Sequence, residues 1–208
     1  FVACTRWQAE WAKSINPRAR VETINIGVNT DRFRPIGTKF NHGLKPPVVL
    51  AVAGPQKFKR GDLAIEAISR LPQTSLLVVG DQRPEIKQMG AKLLGRRFKN
   101  IQVDYQDLDR VYRACQIYTL PSGGSEAYGI SILEAMASGL PVVVNNDPIR
   151  RELVGKVGIL VDPTDLNSYT NGLKTALSLG GKNSRAQALK FSWDKISQQY
   201  LDLWSGLI

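Results

Sequence analysis

Short apolar runs alternate along most of the chain with segments in which apolar residues recur every three or four positions. Runs of four to six apolar residues are typical of strands buried on both faces of a parallel sheet, and the longer period predicts amphipathic helices. The predicted strands are 1–5, the start of 21–35, 48–53, 75–79, 101–103, 117–120, 142–144 and 159–161. The predicted helices are 6–14, 61–71, 84–94, 108–115, 130–138, 149–154, 166–179, 184–190 and 194–204.

This alternation indicates βαβ units and an α/β fold with a parallel sheet. Ligands of such sheets bind beyond the carboxyl ends of the strands, so the loops after residues 53, 79, 120 and 144 are the expected site. The loop after residue 53 runs from Gly54 to Lys59 and Arg60 before a helix begins. A glycine and two cations suit a diphosphate, although two solvated cations on a helix surface remain an alternative.

The loop after residue 120 is the most informative segment. Residues 121–141 leave an apolar strand, cross small residues and enter a helix, with Glu126 in the loop and Glu134 on the helix. A helix N-terminus supplies unpaired donors and a positive dipole end, which suit a phosphate. Carboxylates accept hydrogen bonds from sugar hydroxyls. The segment therefore indicates a ligand with both phosphate and sugar groups. An exposed helix glutamate stabilised by the dipole is the alternative for Glu134.

The text of this segment, PSGGSEAYGISILEAMASGLPVVV, resembles the Glu-x7-Glu signature of retaining glycosyltransferases of the GT-B fold, family 4 or group 1 type. The resemblance extends from about Thr5 to Trp204. It implies a Rossmann-like parallel sheet with helices on both faces, as one half of a GT-B fold. It also implies the donor-binding half of an enzyme that moves a sugar from a nucleotide-diphosphate donor to an acceptor hydroxyl.

The same resemblance assigns roles around the two glutamates. Glu126 would lie at the donor sugar as the catalytic residue and stabilise positive charge at the anomeric carbon. Glu134 would bind the ribose hydroxyls. The backbone N–H groups of Tyr128, Gly129 and Ile130 would meet the diphosphate or the sugar.

Gly54, Lys59 and Arg60 would, by this resemblance, form the diphosphate loop, with Arg60 in place of a family lysine. Pro55 stands where the family has an arginine, and Ala127 where it has a glycine. Both departures favour an alternative function, a non-catalytic nucleotide-sugar-binding module. A sugar-nucleotide epimerase of the same architecture is a further alternative.

Two more loops would contribute to donor binding. Asp81, in the loop Gly-Asp-Gln-Arg-Pro, would lie near the nucleotide, although a simple turn that opens a helix explains the loop equally well. Val103 would line the base pocket with its backbone. Because backbone contacts leave little trace in side chains, the base cannot be predicted.

The resemblance divides the chain into three parts. Residues 1–35 would be a remnant of the N-terminal, acceptor-side domain and the interdomain connector, 36–190 the nucleotide-sugar-binding domain, and 191–208 a C-terminal crossover helix. The start at Phe1 suggests a fragment of a longer chain. The acceptor, a glycan or a lipid, would bind the missing domain, so the isolated chain is expected to bind nucleotide without transferring sugar.

The net charge of +10 leaves three classes of partner open: an anionic small ligand, an anionic membrane surface and nucleic acid. Nucleic acid is the weakest, because no block of five Lys or Arg residues and no aromatic-interleaved motif occurs. The basic pairs, including Arg150-Arg151, are interpreted as solvated surface. No metal-ligand cluster occurs, and no cofactor or essential metal is expected.

The remaining observations concern location. Cys4 and Cys115 are predicted to be free thiols in a reducing compartment, and His42 a solvated surface residue. No apolar run of 18 residues could span a bilayer. The expected location is cytoplasmic, with peripheral association at the inner face of the membrane left open.

Overall fold

The computed structural model describes residues 1–124 and 126–206. The strands are β1 (Val2–Ala3), β2 (Glu22–Thr23), β3 (Val48–Val52), β4 (Ser75–Val79), β5 (Phe98–Ile101), β6 (Ile117–Leu120), β7 (Val142–Asn145) and β8 (Ile159–Val161). The α-helices are α1 (Arg6–Ile15), α2 (Gly61–Ser69), α3 (Pro84–Leu94), α4 (Leu108–Ala114), α5 (Ile130–Ala137), α6 (Pro148–Val154), α7 (Leu166–Leu179), α8 (Ser184–Ala188) and α9 (Trp193–Ser205).

Strands β3 to β8 form one parallel sheet in the order β5-β4-β3-β6-β7-β8. The first strand of this sheet, β3, is therefore central. The chain then adds β4 and β5 on one side of β3 and returns to add β6, β7 and β8 on the other side. The loops that follow β3 and β6 lead to helices on opposite faces of the sheet, α2 and α5, which opens a crevice at the ends of these two strands. This arrangement confirms the predicted Rossmann-like fold.

Both faces of the sheet are buried. In β3, Val48 and Leu50 point to one face, whereas Val49 and Ala51 point to the other. The first face packs against α4, α5 and α6, and the second against α2, α3 and α7. Because the side chains of the central strands β3, β4 and β6 meet an apolar layer on both faces, these strands carry mainly apolar runs.

Strand β5 is the clearest error of the sequence-based assignment, which placed it at 101–103. The strand instead begins at Phe98, whose ring packs on Gly90 of α3. The Asn100 side chain donates to the carbonyl oxygens of Val78 and Gly80, 3.1 and 2.7 Å away. The edge position tolerates Lys99, so polar residues interrupt the apolar run that the prediction relied on.

The N-terminal residues form a separate two-stranded parallel sheet of β1 and β2 around α1. Thr5 caps α1, as predicted, and its hydroxyl accepts a hydrogen bond from the backbone N–H of Gln8 at 3.2 Å. Farther along, Val28 pairs with the residues at the start of α9. The Val28 N–H donates to the carbonyl oxygen of Phe191 at 2.8 Å, and the Trp193 N–H donates to the carbonyl oxygen of Val28 at 3.2 Å. This pairing joins the first 35 residues to the C-terminal helix.

Candidate functional site

The loops after β3 and β6 meet in the crevice of the sheet. The N–H of Gly123 donates to the carbonyl oxygen of Phe58 at 2.5 Å. Close by, the ammonium group of Lys59 forms an ion pair with the carboxylate of Glu126. Only 19% of the Lys59 side chain and 12% of the Glu126 side chain are exposed. The structure thus brings a predicted phosphate ligand and the predicted catalytic carboxylate together, and Lys59 is not a solvated surface cation.

Arg60 has a different environment. Its backbone is left-handed, with φ of 46°, at the point where a short 3-10 helix gives way to α2. Its guanidinium contacts the Asp62 carboxylate through Nε at 3.1 Å and Nη2 at 2.9 Å, and this hydrogen bond raises the pKa of Arg60. The second predicted cation therefore lies on the first turn of α2 and is paired there.

A buried amide that the sequence analysis missed connects the loops after β3 and β4. The Gln82 side chain donates to the carbonyl oxygens of Ala53 and Gly54 at 2.6 and 3.0 Å. Beside it, Gly80 has φ of +112°, and a Cβ there would lie 2.4 Å from the Ala53 oxygen. The backbone around Gly54 is held by these contacts, and only glycine fits at position 80.

Asp81, the predicted nucleotide residue of this loop, is exposed. Its carboxylate pairs with Lys87 of α3 at 2.9 Å, and this hydrogen bond lowers the pKa of Asp81. Val103 lies beyond β5 in a separate cleft of about 340 Å³. The cleft is lined by Phe40, Gln102, Val103, Asp104 and Asp107.

The start of α5 is built by the residues before it. Gly129 precedes the helix with φ of +91°, and Ile130 begins it with an exposed side chain. The buried Tyr128 hydroxyl accepts from the N–H of Ile26 and donates to the carbonyl oxygen of Ile26, both at 3.1 Å. The Gln8 side chain donates to the Ala127 oxygen at 3.1 Å. The loop that carries Glu126 is therefore attached to the N-terminal segment.

Glu134 is only 5% exposed, so its interpretation as an exposed helix residue is wrong. The hydroxyl of the buried Tyr112 donates to its carboxylate at 2.8 Å. Burial raises the pKa of Glu134, and the Tyr112 hydrogen bond and the charge of Arg32 oppose that rise. The Tyr112 hydrogen bond orients this carboxylate within the core.

Replacing Glu134 with glutamine is expected to change how stability depends on pH. The raised pKa means that the folded chain binds this proton more tightly than the unfolded chain. This group's contribution to stability is therefore present below its unfolded pKa and is lost as pH rises through its folded pKa. Urea unfolding should show a larger gain for Glu134→Gln over wild type at about pH 7 than at about pH 4. An equal difference at both pH values would contradict this account.

Arg150 is the largest fully buried side chain, so the solvated-surface interpretation of the Arg150-Arg151 pair is wrong for its first member. Its Nη1 donates to the carbonyl oxygen of Glu126 and its Nη2 to the Ser122 hydroxyl, both at 3.1 Å. Asp147 lies 3.3 Å from Nη1. Helical spacing places Arg150 on the same face as Leu153 and Val154, and this signal would have predicted its burial.

The other minor predictions have mixed outcomes. Cys115 is a buried free thiol, as expected, and burial raises its pKa to about 12. His42 is half-buried and its Nδ1 accepts from the N–H of Leu44 at 3.1 Å, so it is less solvated than predicted. Among residues 1–124 and 126–206, no group of three or more His, Cys, Asp or Glu side chains is placed to hold a metal. No helix in this described part is long and apolar enough to cross a bilayer.

Known proteins resemble this chain in sequence. It is 32% identical over 210 residues to D-inositol 3-phosphate glycosyltransferase of Mycobacterium sp. (strain KMS), covering 91% of this chain and 47% of that protein. It is 30% identical over 221 residues to phosphatidyl-myo-inositol mannosyltransferase of Mycobacterium tuberculosis (strain ATCC 25618 / H37Rv), covering 96% and 56%. The chain thus spans about half the length of these relatives.

Solved structures share the fold. Sucrose-phosphate synthase (tll1590) from Thermosynechococcus elongatus superposes with a TM-score of 0.87 at 26% identity, covering 99% of this chain and 57% of that one. Anabaena Alr3699/HepE, solved in complex with UDP and glucose, gives 0.80 at 22% identity, covering 99% and 62%. The sequence profile described as "Glycosyl transferases group 1" matches residues 35–190. The chain belongs to the group 1 glycosyltransferase family.

Proposed function

We propose that this chain is the donor-binding half of a retaining glycosyltransferase and holds a nucleotide-diphosphate sugar in the crevice between β3 and β6. The observation that carries the proposal is the meeting of two loops at this crevice, with Lys59 beside Glu126. A cation suits the diphosphate, and a carboxylate suits the sugar hydroxyls. Membership of the group 1 family supports the proposal, as does a similar fold that was solved with UDP and glucose.

Several of the predicted residues have distinct tasks in this proposal. Lys59 and the N-terminus of α5 receive the diphosphate, and the backbone N–H groups of Tyr128, Gly129 and Ile130 donate to it or to the sugar. Glu134 accepts hydrogen bonds from the ribose hydroxyls, and the backbone at Val103 meets the base. Glu126 contacts the donor sugar and stabilises the positive charge that develops at its anomeric carbon.

The leaving diphosphate gains negative charge as the bond to the sugar breaks. We infer that Lys59 and the dipole of α5 stabilise this charge without a metal ion. Arg60 stays paired with Asp62 and adds only a more distant positive charge. The acceptor is proposed to bind sequence outside this chain, because the relatives are about twice as long. The isolated chain is then expected to bind donor without transferring the sugar at an appreciable rate.

Calorimetric titration with UDP, GDP and ADP tests this function. We expect one nucleotide to bind, and Glu134→Gln to weaken it by about tenfold, because an amide forms poorer hydrogen bonds with ribose hydroxyls than a carboxylate does. Glutamine still offers an oxygen to Tyr112, so the core around the helix is preserved. Glu85→Gln, exposed at the start of α3, is the control and should leave the affinity unchanged.

The outcomes of the titration separate the alternatives. The nucleotide whose affinity falls in Glu134→Gln identifies the base of the donor. An equal loss in both variants would mean that Glu134 does not touch the ribose. Failure of all three nucleotides to bind would contradict the proposed function for this chain.

A further inference from the structure

Two of the three cations in the loop after β3, Lys59 and Arg60, are paired with carboxylates, but the two pairs differ. Arg60 and Asp62 are two residues apart, and their contact stays within one turn and is partly exposed. Lys59 and Glu126 are 67 residues apart, and their contact joins two different loops. Since both side chains of the second pair are largely buried, water screens their attraction less than it screens a surface pair.

The second pair sets the two proposed tasks of the site against each other. Lys59 is the cation for the diphosphate, yet it is held by the carboxylate proposed for the sugar. A diphosphate that binds Lys59 places its negative charge next to Glu126, and like charges in a partly buried site repel. Glu126 therefore needs new hydrogen-bond donors whenever a diphosphate takes Lys59 from it.

We propose that Glu126 is a specificity-determining residue, which selects a nucleotide sugar over a free nucleoside diphosphate by competing for Lys59. The inference rests on the proposed function of the same crevice. The hydroxyls of a donor sugar supply the hydrogen bonds that Glu126 loses when Lys59 moves to the diphosphate. A nucleoside diphosphate supplies none, and its terminal phosphate ionises further near neutral pH, which strengthens the repulsion.

Two hydrogen bonds hold the backbone near the pair and keep Glu126 close to Lys59. The Arg150 Nη1 donates to the Glu126 carbonyl oxygen at 3.1 Å. The hydrogen bond from Gly123 to Phe58 joins the same loop to the residue before Lys59. These two hydrogen bonds keep the carboxylate near Lys59, and rotation of its side chain lets it turn to the sugar. After the sugar has left, Glu126 recaptures Lys59 and weakens the hold on the diphosphate product.

The test is a titration of Glu126→Gln with three matched pairs of probes: UDP and UDP-glucose, GDP and GDP-mannose, and ADP and ADP-glucose. For the base that binds, we expect the variant to bind the nucleoside diphosphate about tenfold more tightly than wild type does, as the loss of one partly buried ion pair allows. The nucleotide sugar should bind no more tightly than before. The ratio of the two affinities should therefore fall by about tenfold. Glu10→Gln removes the same charge from the exposed face of α1 and should change neither affinity.

The same titration in a Lys59→Gln background distinguishes competition from simple repulsion. Competition requires Lys59, so Glu126→Gln should then give little gain in diphosphate affinity. An equal gain in both backgrounds, or no gain in the chain that keeps Lys59, would overturn the inference. Glu126→Ala is the second variant, because it removes the same carboxylate without introducing an amide. It should show the same gain in diphosphate affinity. If the wild-type chain binds neither probe of any pair, the proposed function is overturned as well. If the wild-type chain binds and Glu126→Gln leaves the diphosphate affinity unchanged, this inference alone is overturned.

Discussion

Replacing Arg150 with alanine is expected to lower the free energy of unfolding by about 3 kcal/mol. The substitution removes the donors that satisfy the Ser122 hydroxyl and the Glu126 carbonyl oxygen, and the Ser122 hydroxyl is buried. It also leaves a cavity where the largest fully buried side chain had been. Urea unfolding measures the change, and the midpoint should shift without a change in slope.

Arg151→Ala is the matched control for this experiment. Arg151 is the next residue of the same helix, but it is exposed and its Nε donates to the Asn146 side chain at 2.7 Å. Removing a surface side chain of this kind should change stability by no more than about 0.5 kcal/mol. Equal losses in the two variants would mean that burial does not distinguish the two arginines, contrary to the structure. Arg150→Lys should fall between, because one ammonium group cannot replace the two nitrogen atoms that bond Ser122 and Glu126.

The second large effect is expected at Gly80, where alanine should cost about 4 kcal/mol of unfolding free energy. Two causes combine at this position: a backbone φ of +112° and a Cβ that would lie 2.4 Å from the Ala53 carbonyl oxygen. Relief requires the ends of β3 and β4 to separate, and this would displace Gly54 and the loop that leads to Lys59. Donor binding should therefore be lost together with stability, and one sample can be used for both measurements.

Gly95→Ala separates the two causes. Gly95 also has positive φ, at +54°, but no atom lies within 4 Å of its would-be Cβ. Alanine there pays only the backbone strain, about 2 kcal/mol. If Gly80→Ala proved no more harmful than Gly95→Ala, the close approach of Gly80 to Ala53 would not be a real constraint.

The sequence predicted the sheet well because its central strands are buried on both faces. The predicted run 117–120 is buried throughout, and the structure gives β6 the same bounds. Edge strand β5 carries Lys99 and Asn100, which have no place in such a run, so its position was predicted incorrectly. The prediction depended on an unbroken apolar run, and the other edge strand, β8, has such a run and was predicted with its observed bounds.

The site was predictable by residue type but not by partner. The carboxylate of Glu126 and the cation of Lys59 each follow from the loop chemistry, yet nothing in the chain shows that they pair across 67 residues. Gln82 was missed because a single amide that satisfies three carbonyl oxygens leaves no periodic pattern. Arg150 was misinterpreted because two adjacent charges were counted together, although adjacent helical residues face different directions.

The contacts of Tyr128 with Ile26 and of Gln8 with Ala127 have a consequence for engineering. Exchanging the segment around Glu126 between related enzymes, to alter which donor is used, would leave its anchors behind in the first 26 residues. A graft without these partners would lose the hydrogen bonds that hold the loop in place. The natural unit of exchange is therefore discontinuous: the loop must travel with residues 8 and 26, which lie more than a hundred positions earlier in the chain.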